Sequence, residues 1–324
     1  MKRSRCLGVA VVAAAALCVA ACSNNGKLTI GSITYNATDE WFAEAAFGMR
    51  DAAKDLDVTL VEMDSRYDPN VEKDLIREQL KKKADAIVIC PITTVESGAA
   101  LSEAKSFNVP VVTWNTVVEP TPTAQIVVDA ATLGGATGEY LTKYVEQHGI
   151  TNLKAALVTS SAYSIAIERC DGFYNAIKPL LENGTLEIVF ETEGDLMEEA
   201  KVAVAKMLEE RPDIQFIWCW NQMSLVATIQ TLKEVGRPDI LVAGTDMSVG
   251  IAEDMLNDEV QVIAVTTQQP YRMGYEAVVN AVRAARREPT LASINIPTLT
   301  YIKEDVADLH EYVAEHEKFA KNKQ

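Results

Sequence analysis

Short apolar runs rich in valine and isoleucine alternate with longer segments of helical periodicity from Lys27 onward. This alternation is the pattern of β-α-β units, in which parallel strands are buried between layers of helices. The scheme runs through the first half of the chain and is repeated in the second half. The sequence therefore predicts an α/β fold with two Rossmann-like lobes, each built on a parallel sheet.

The length and composition of the chain agree with two lobes. Its 324 residues exceed the size at which a single hydrophobic core stops growing, about 250–300 residues. A composition of 48% hydrophobic and 23% charged residues is typical of a globular protein. Asp39 and Asn70 are predicted to cap the first two helices, and Gly236 to end a later one.

The amino terminus has the three parts of a secretory signal. Lys2, Arg3 and Arg5 form a basic region, an apolar run covers Leu7–Ala21, and small residues precede Cys22. The apolar run is too short to cross a hydrocarbon core of about 30 Å comfortably. We therefore predict a cleaved signal peptide over residues 1–21 and an extracytoplasmic protein.

The stretch Val19-Ala20-Ala21-Cys22 resembles the lipobox of bacterial lipoproteins. The resemblance implies that Cys22 becomes the mature amino terminus and carries a lipid that anchors the protein to the membrane. The alternative is an ordinary signal peptide in which Cys22 has no special role.

Charge and residue usage exclude several classes of function. The formal net charge of −16 becomes three units more negative when the signal is removed, and such a protein repels nucleic acid. Cys90, Cys170 and Cys219 are widely spaced and are interpreted as core residues. Only three histidines occur in the chain, so no metal site and no cofactor are predicted.

No phosphate-binding signature follows the predicted strands. The sequence contains neither a glycine-rich dinucleotide fingerprint after the first strand nor a phosphate loop. The pair Gly134-Gly135 has two interpretations: close packing of a helix start, or a weak phosphate contact. The first is the simpler of the two.

Polar side chains stand at the carboxyl ends of several predicted strands, where ligands of open α/β sheets collect. Amides and carboxylates there can satisfy a ring of ligand hydroxyls, and a nearby tryptophan can stack on the apolar face of a sugar. The alternative is that these polar residues serve the turns and that Trp114 and Trp218 belong to the core. The predicted polar residues are Asp39, Asn115, Asn221, Asp246 and Gln268.

Several segments resemble the type I periplasmic binding proteins of the ribose and galactose group, which are the solute receptors of ABC importers. The segments also occur in the same order along the chain as in that family. The resemblance runs from Lys27 to about Asp308. It implies two lobes joined by a three-segment hinge, with the ligand in the cleft between them. The segments that carry it are Asp39-Glu40-Trp41-Phe42, Val109–Asn115, Glu168–Phe173, Arg211-Pro212-Asp213, Val242–Asp246 and Gln268-Gln269-Pro270.

The resemblance also implies the bounds of the lobes. Residues 22–129 and 269–298 are expected to form the amino-terminal lobe, and residues 130–268 and 299–312 the carboxyl-terminal lobe. Residues 313–324 are expected to form a polar helical tail.

The same resemblance places the ligand-binding residues. An aromatic pair falls on Trp41 and Phe42, and Trp220 is expected to wall the ligand beside the polar residues given above. Two arginines of many sugar-binding members are replaced, by Thr116 and by Ile167. Their loss argues against a ribose-like or galactose-like ligand, and the predicted site is more aromatic and more acidic than the family pattern.

The function predicted from these residues is that of a lipid-anchored, monomeric solute receptor that presents a small sugar or polyol to an ABC permease. A receptor for a quorum-signal-like furanose or a nucleoside, feeding a signalling system, is the alternative. A glycosidase using Asp39 and Asp246 is a weaker one, because no histidine, activated serine or metal cluster supports catalysis. The protein is therefore predicted to be no enzyme.

Overall fold

The computed structural model describes residues 26–321 of the chain. The predicted signal peptide and Cys22 lie outside the described residues. The strands are β1 (Thr29–Thr34), β2 (Thr59–Asp64), β3 (Ala86–Ile89), β4 (Val111–Trp114), β5 (Ala124–Val127), β6 (Leu153–Thr159), β7 (Leu186–Glu193), β8 (Phe216–Cys219), β9 (Leu241–Thr245), β10 (Gln261–Thr267), β11 (Ser293–Asn295) and β12 (Leu299–Ile302). The helices are α1 (Glu40–Asp55), α2 (Pro69–Lys81), α3 (Val95–Ser106), α4 (Ala130–Gln147), α5 (Ser164–Glu182), α6 (Met197–Glu210), α7 (Gln222–Val235), α8 (Val249–Asn257), α9 (Pro270–Ala285) and α10 (Val306–Lys321).

Two six-stranded sheets organise these elements. The first has the strand order β11-β5-β4-β3-β1-β2, and all its pairs are parallel. The second has the order β12-β10-β9-β8-β6-β7, with β12 antiparallel to β10 and the other pairs parallel. The predicted α/β class with two parallel-sheet lobes is thus confirmed.

Each sheet is covered by helices on both faces. Apolar side chains of α1 and α9 pack on one face of the first sheet, and those of α2 and α3 on the other. In the second sheet, α4 and α5 cover one face, while α6, α7, α8 and α10 cover the other. Burial on both faces explains why the central strands are continuous apolar runs in the sequence.

The chain passes between the two sheets more than once. Strand β5 belongs to the first sheet and β6 to the second, α9 packs against α1 of the first sheet, and the late strands β11 and β12 are divided between the two sheets. The bounds that we assigned to the lobes remain a prediction.

Local capping agrees with the sequence at two of three positions. The Asp39 side chain accepts from the Trp41 amide at the start of α1, and Gly236 ends α7 with a left-handed φ of 70°. The cap of α2 is Asp68 rather than Asn70, because the helix begins at Pro69, whose ring favours the first helical position. The prediction for Asn70 was wrong by two residues, because Asn70 is already the second residue of the helix.

The carboxyl-terminal helix is longer than the predicted tail. It begins at Val306, and Leu309 and Tyr312 are buried in the core of the second sheet. The segment from residue 313, predicted as a polar helical tail, is helical as far as Lys321 and continues the helix that begins at Val306. The last three residues lie outside the described part.

The glycine pair of α4 serves helix packing. A Cβ atom on Gly134 would stand 1.9 Å from the carbonyl oxygen of Arg169 in α5. Only a glycine permits this approach of the two helices. The packing interpretation of Gly134-Gly135 agrees with this geometry.

Among the described residues, Cys90, Cys170 and Cys219 are buried and free. Burial raises the pKa of the Cys90 and Cys219 thiols to about 12, so both are unreactive core residues at neutral pH. Among residues 26–321, no helix has the length and apolar character required to cross a membrane. The same residues contain no cluster of three or more potential metal ligands.

Candidate functional site

A cavity of about 230 Å³ lies between the two sheets, at the carboxyl ends of their strands. Residues from both halves of the chain line it, as expected for a ligand site of open α/β sheets. The structure brings all eight predicted binding residues together around this one cavity. They are Asp39, Trp41, Phe42, Asn115, Trp220, Asn221, Asp246 and Gln268. That they bind a ligand remains a prediction.

Larger cavities of about 390 and 600 Å³ open elsewhere. Both are lined by residues that pack on the first sheet alone. The cavity between the sheets is the candidate site because it joins strand ends from the two lobes.

An ion pair forms the base of the cavity on the side of the second sheet. Arg169 of α5 and Asp246, which follows β9, are both buried, and their side chains meet at 2.8 Å. The same arginine nitrogen donates to the Trp220 carbonyl and to the Thr245 hydroxyl, while Gln268 donates to the other Asp246 oxygen. Every oxygen of the Asp246 carboxylate is therefore engaged within the protein.

Arg169 corrects the expectation that the site has lost its arginines. Thr116 and Ile167 do not line the cavity, and Ile167 is an exposed residue. The guanidinium comes instead from Arg169, two residues further along the same helix. The argument against a ribose-like or galactose-like ligand that was based on Thr116 and Ile167 is therefore weakened.

Asp39 faces the cavity from the first sheet while it caps α1. Its Oδ1 accepts from the Trp41 amide at 2.9 Å. Burial raises the pKa of this carboxyl, the amides of Trp41 and Phe42 lower it, and the negative charges of Asp246 and Glu40 raise it further; the net shift is upward. Asp246 lies on the opposite side of the same cavity.

Aromatic rings wall the cavity on both sides. Trp41 stacks on the buried Trp114 at a centroid distance of 5.6 Å, and Phe42 meets Trp114 edge-on at 5.8 Å. Opposite, the Trp220 ring is fixed by a hydrogen bond from its Nε1 to the Gly194 carbonyl and by the Arg169 guanidinium over its face. These supports hold the rings as rigid platforms for stacking.

The other two tryptophans are core residues. Trp114 is 1% exposed and Trp218 is completely buried, with its Nε1 bonded to the Thr137 hydroxyl. Neither lines the cavity. The interpretation of this pair as core agrees with the structure.

Two predicted amides are partly used by the protein itself. The Asn221 side chain caps α7 by accepting from the Ser224 amide, and its nitrogen donates to the Asp195 carbonyl. Asn115 has a left-handed φ of 65° and directs its amide nitrogen to the Cys90 sulfur at 3.8 Å. Each amide nitrogen keeps one further hydrogen that a ligand can receive.

Nine lining residues were not predicted from the sequence, among them Tyr35, Tyr67, Tyr163, Arg169 and Asp195. Four of these five follow strands β1, β2, β6 and β7 within a few residues, so the strand-end rule finds them when it is applied to every residue of the loops after these strands. Arg169 lies inside a helix, and no strand-end rule finds it.

Three buried polar atoms of lining residues have no hydrogen-bond partner. They are Trp41 Nε1, Arg169 Nε and Asp195 Oδ1. An unpaired buried polar atom costs about 1–3 kcal/mol. Two donors and one acceptor of cavity-lining residues are thus unsatisfied within the protein.

Two α/β lobes with a polar and aromatic cleft at the strand ends define the class of two-lobed solute receptors. Comparison with known proteins supports this class: the family model of the periplasmic binding protein domain matches residues 30–289. The chain belongs to the periplasmic binding protein family and is of its type I. It is a binding protein and not an enzyme, and its family is extracytoplasmic.

Named relatives cover nearly the whole chain at low identity. The ABC transporter periplasmic-binding protein YphF of Escherichia coli is 24% identical over 301 residues, which are 90% of each chain. The ribose import binding protein RbsB of the same organism is 23% identical over 298 residues, 91% of this chain and 97% of its own.

A solved structure shows the same fold. The periplasmic binding protein of the arabinose ABC transporter from Shewanella sp. ANA-3, bound to L-arabinofuranose, superposes with a TM-score of 0.78. It is 20% identical, and the match covers 90% of this chain and 98% of that one. At this identity the likeness concerns the fold alone.

Proposed function

We propose that this protein is the solute receptor of an ABC importer and binds a small sugar or polyol in the cleft between its lobes. The observation that carries the proposal is the convergence of eight predicted polar and aromatic residues, from both halves of the chain, on one cavity. Relatives named as import binding proteins support it.

Binding proceeds by closure of the lobes in this proposal. Asp39 and Trp41 contact the solute from one side, and Trp220 and Gln268 from the other. The solute is held most tightly when both walls reach it, so it shifts the protein toward the closed state. The closed form is then the one presented to the membrane permease.

The proposal includes a lipid anchor at Cys22 and a monomeric receptor. The anchor is supported by the small residues before Cys22 and by the basic and apolar segments preceding them. Mass spectrometry of the membrane fraction is expected to find an acylated peptide that begins at Cys22. Cys22→Ser is expected to release a soluble protein that still binds its solute, and an unmodified wild-type peptide starting elsewhere would contradict the anchor.

A thermal-shift screen over pentoses, hexoses, polyols, furanoses and nucleosides tests the binding function. A solute that binds the native state alone raises the melting temperature by mass action. Trp41→Ala is expected to lower the affinity for that solute about tenfold or more, because it removes a stacking platform.

Phe107→Ala is the matched control, since Phe107 is 63% exposed and does not line the cavity. It is expected to bind like the wild type. Equal affinity of all three proteins for a solute that stabilises them would contradict the assignment of the cleft.

A further inference from the structure

The cavity carries an excess of negative charge. Three carboxylates line it, those of Asp39, Asp195 and Asp246, against the single guanidinium of Arg169. Arg169 and Asp246 neutralise each other at 2.8 Å. No cationic nitrogen of the described residues forms an ion pair with Asp39 or Asp195. Two carboxylates are therefore left to act on whatever enters the cleft.

Asp195 places part of this negative charge on an oxygen that has no hydrogen-bond partner in the protein. Its Oδ1 is enclosed by the protein and has no hydrogen-bond partner, although the residue as a whole is only half-buried. A carboxylate oxygen accepts hydrogen bonds and does not donate them. A solute donor that reaches this oxygen satisfies it, and a cationic N–H donor forms a stronger bond there than a neutral hydroxyl.

The other unpaired atoms require acceptors. The Nε–H of the buried Arg169 and the Nε1–H of Trp41 both lack a partner. Hydroxyl oxygens of a polyol satisfy such donors, whereas a simple alkyl amine does not. The complementary solute thus combines hydroxyl groups with a donor that matches Asp195.

The walls also suit a cation. Six aromatic side chains line the cavity, Tyr35, Trp41, Phe42, Tyr67, Tyr163 and Trp220. The faces of such rings attract a cation by about 0.5–2 kcal/mol. The net charge of −16 over the whole chain adds a long-range attraction of the same sign.

The pKa of the Asp39 carboxyl is affected by the same negative charge. Burial raises the pKa of its carboxyl, and the charges of Asp246 and Glu40 add to the upward shift, which the amides of Trp41 and Phe42 oppose. A cation beside Asp39 would offset this repulsion.

We infer that the solute of this receptor is a polyol or sugar that carries a protonated amino group, recognised by the carboxylates of Asp195 and Asp39. The inference rests on the proposed function, since it names the chemical class of solute for the same cleft. A neutral sugar leaves both carboxylates without a countercharge.

The test does not require the solute to be known in advance. Yeast extract is passed at about pH 7 over a strong cation exchanger, which retains cationic amines while neutral sugars and zwitterions flow through. Each fraction is then offered to the full mature chain in a thermal-shift assay. The retained fraction is expected to raise the melting temperature and the flow-through is not.

Variants that remove the charge of Asp195 or Asp39 show whether the two carboxylates bind the cationic group of the solute. Asp195→Asn and Asp39→Asn keep the side-chain shape, and asparagine still caps a helix. Each is expected to lower the affinity for the retained fraction about tenfold or more. Glu193→Gln is the matched control, because Glu193 lies two residues before Asp195, is exposed and does not line the cavity; it is expected to bind like the wild type.

The outcomes separate this inference from the proposed function. A stabilising solute in the flow-through would overturn the inference and leave the solute receptor intact. Stabilisation by the retained fraction that neither Asp195→Asn nor Asp39→Asn weakens would also overturn it. If neither fraction stabilises the folded protein, the proposed function fails together with the inference.

Discussion

At the scale of single residues, the Arg169–Asp246 pair both lines the cavity and stabilises the fold. Arg169 is 3% exposed, and the nitrogen that bonds Asp246 also bonds the Trp220 carbonyl and the Thr245 hydroxyl. The pair therefore joins α5 to the carboxyl ends of two strands of the second sheet. Residues of this kind are poor choices for a variant meant to test binding alone.

Asp246→Ala is expected to destabilise the empty protein by about 3–5 kcal/mol, because it leaves a buried guanidinium without its countercharge. Urea unfolding of the ligand-free protein measures the change in free energy. Asp213→Ala is the control: Asp213 pairs with Lys154 and Arg211 at the surface, and its loss is expected to cost less than about 1 kcal/mol. An Asp246→Ala protein as stable as Asp213→Ala would show that the buried pair is unimportant for folding.

At the scale of elements, the contact of α4 with α5 positions the arginine. Gly134 faces the Arg169 carbonyl and Gly172 faces the Ala131 carbonyl, and a Cβ on either glycine would come within about 2 Å of that oxygen. The two helices are thus packed backbone to backbone. A change at this contact moves the helix that carries the guanidinium.

Gly134→Ala is expected to lower the free energy of unfolding by about 1–3 kcal/mol through overpacking, and to weaken solute binding because α5 shifts. Gly250→Ala is the matched control in α8, since a Cβ there meets no atom within 4 Å. It is expected to leave stability unchanged or to raise it by up to about 1 kcal/mol. Equal stability of the two variants would contradict the role of the close contact.

Helix α10 connects the two lobes. Its first turns pack against α8 on the second sheet, and His316 near its end lies 3.4 Å from Glu44 of α1 on the first sheet. Burial lowers the pKa of His316, but the hydrogen bond and charge of Glu44 raise it more, so that the net shift is upward. A raised histidine pKa stabilises the fold below the unfolded-state pKa, and this stability is lost as the pH rises through the folded-state pKa.

His316→Gln is therefore expected to lower stability by about 1 kcal/mol at about pH 5.5, and by less at about pH 9. Thermal unfolding at the two pH values measures the difference. His310→Gln is the control on the same helix, because His310 is exposed; its effect on stability is expected to be small. A pH-independent effect of His316→Gln would contradict the ionic character of this contact.

At the scale of the whole molecule, the fold class and the five polar cavity residues can be predicted from local patterns, whereas Trp41, Phe42 and Trp220 were placed by the resemblance to a family. Strand periodicity and the polar residue after each central strand are visible without knowledge of tertiary contacts. The short strands β11 and β12 were missed, since they lie at sheet edges and are not buried apolar runs like the central strands.

The cleft residues that were missed depend on how elements pack. Arg169 reaches the cavity only because glycines let α4 and α5 approach closely. Asp195 follows β7, a strand at the edge of the second sheet, and its unpaired oxygen becomes visible only when the surrounding loops are placed. Tertiary packing thus decides the charge of the site, which the strand pattern alone does not reveal.

A crystal structure of the protein with a solute that raises its melting temperature tests the central claim most directly. The account predicts that the solute lies between the lobes, in contact with Asp39 and Trp41 on one side and with Asp195 and Trp220 on the other. Solute bound outside this cavity, with the cleft residues left untouched, would contradict it.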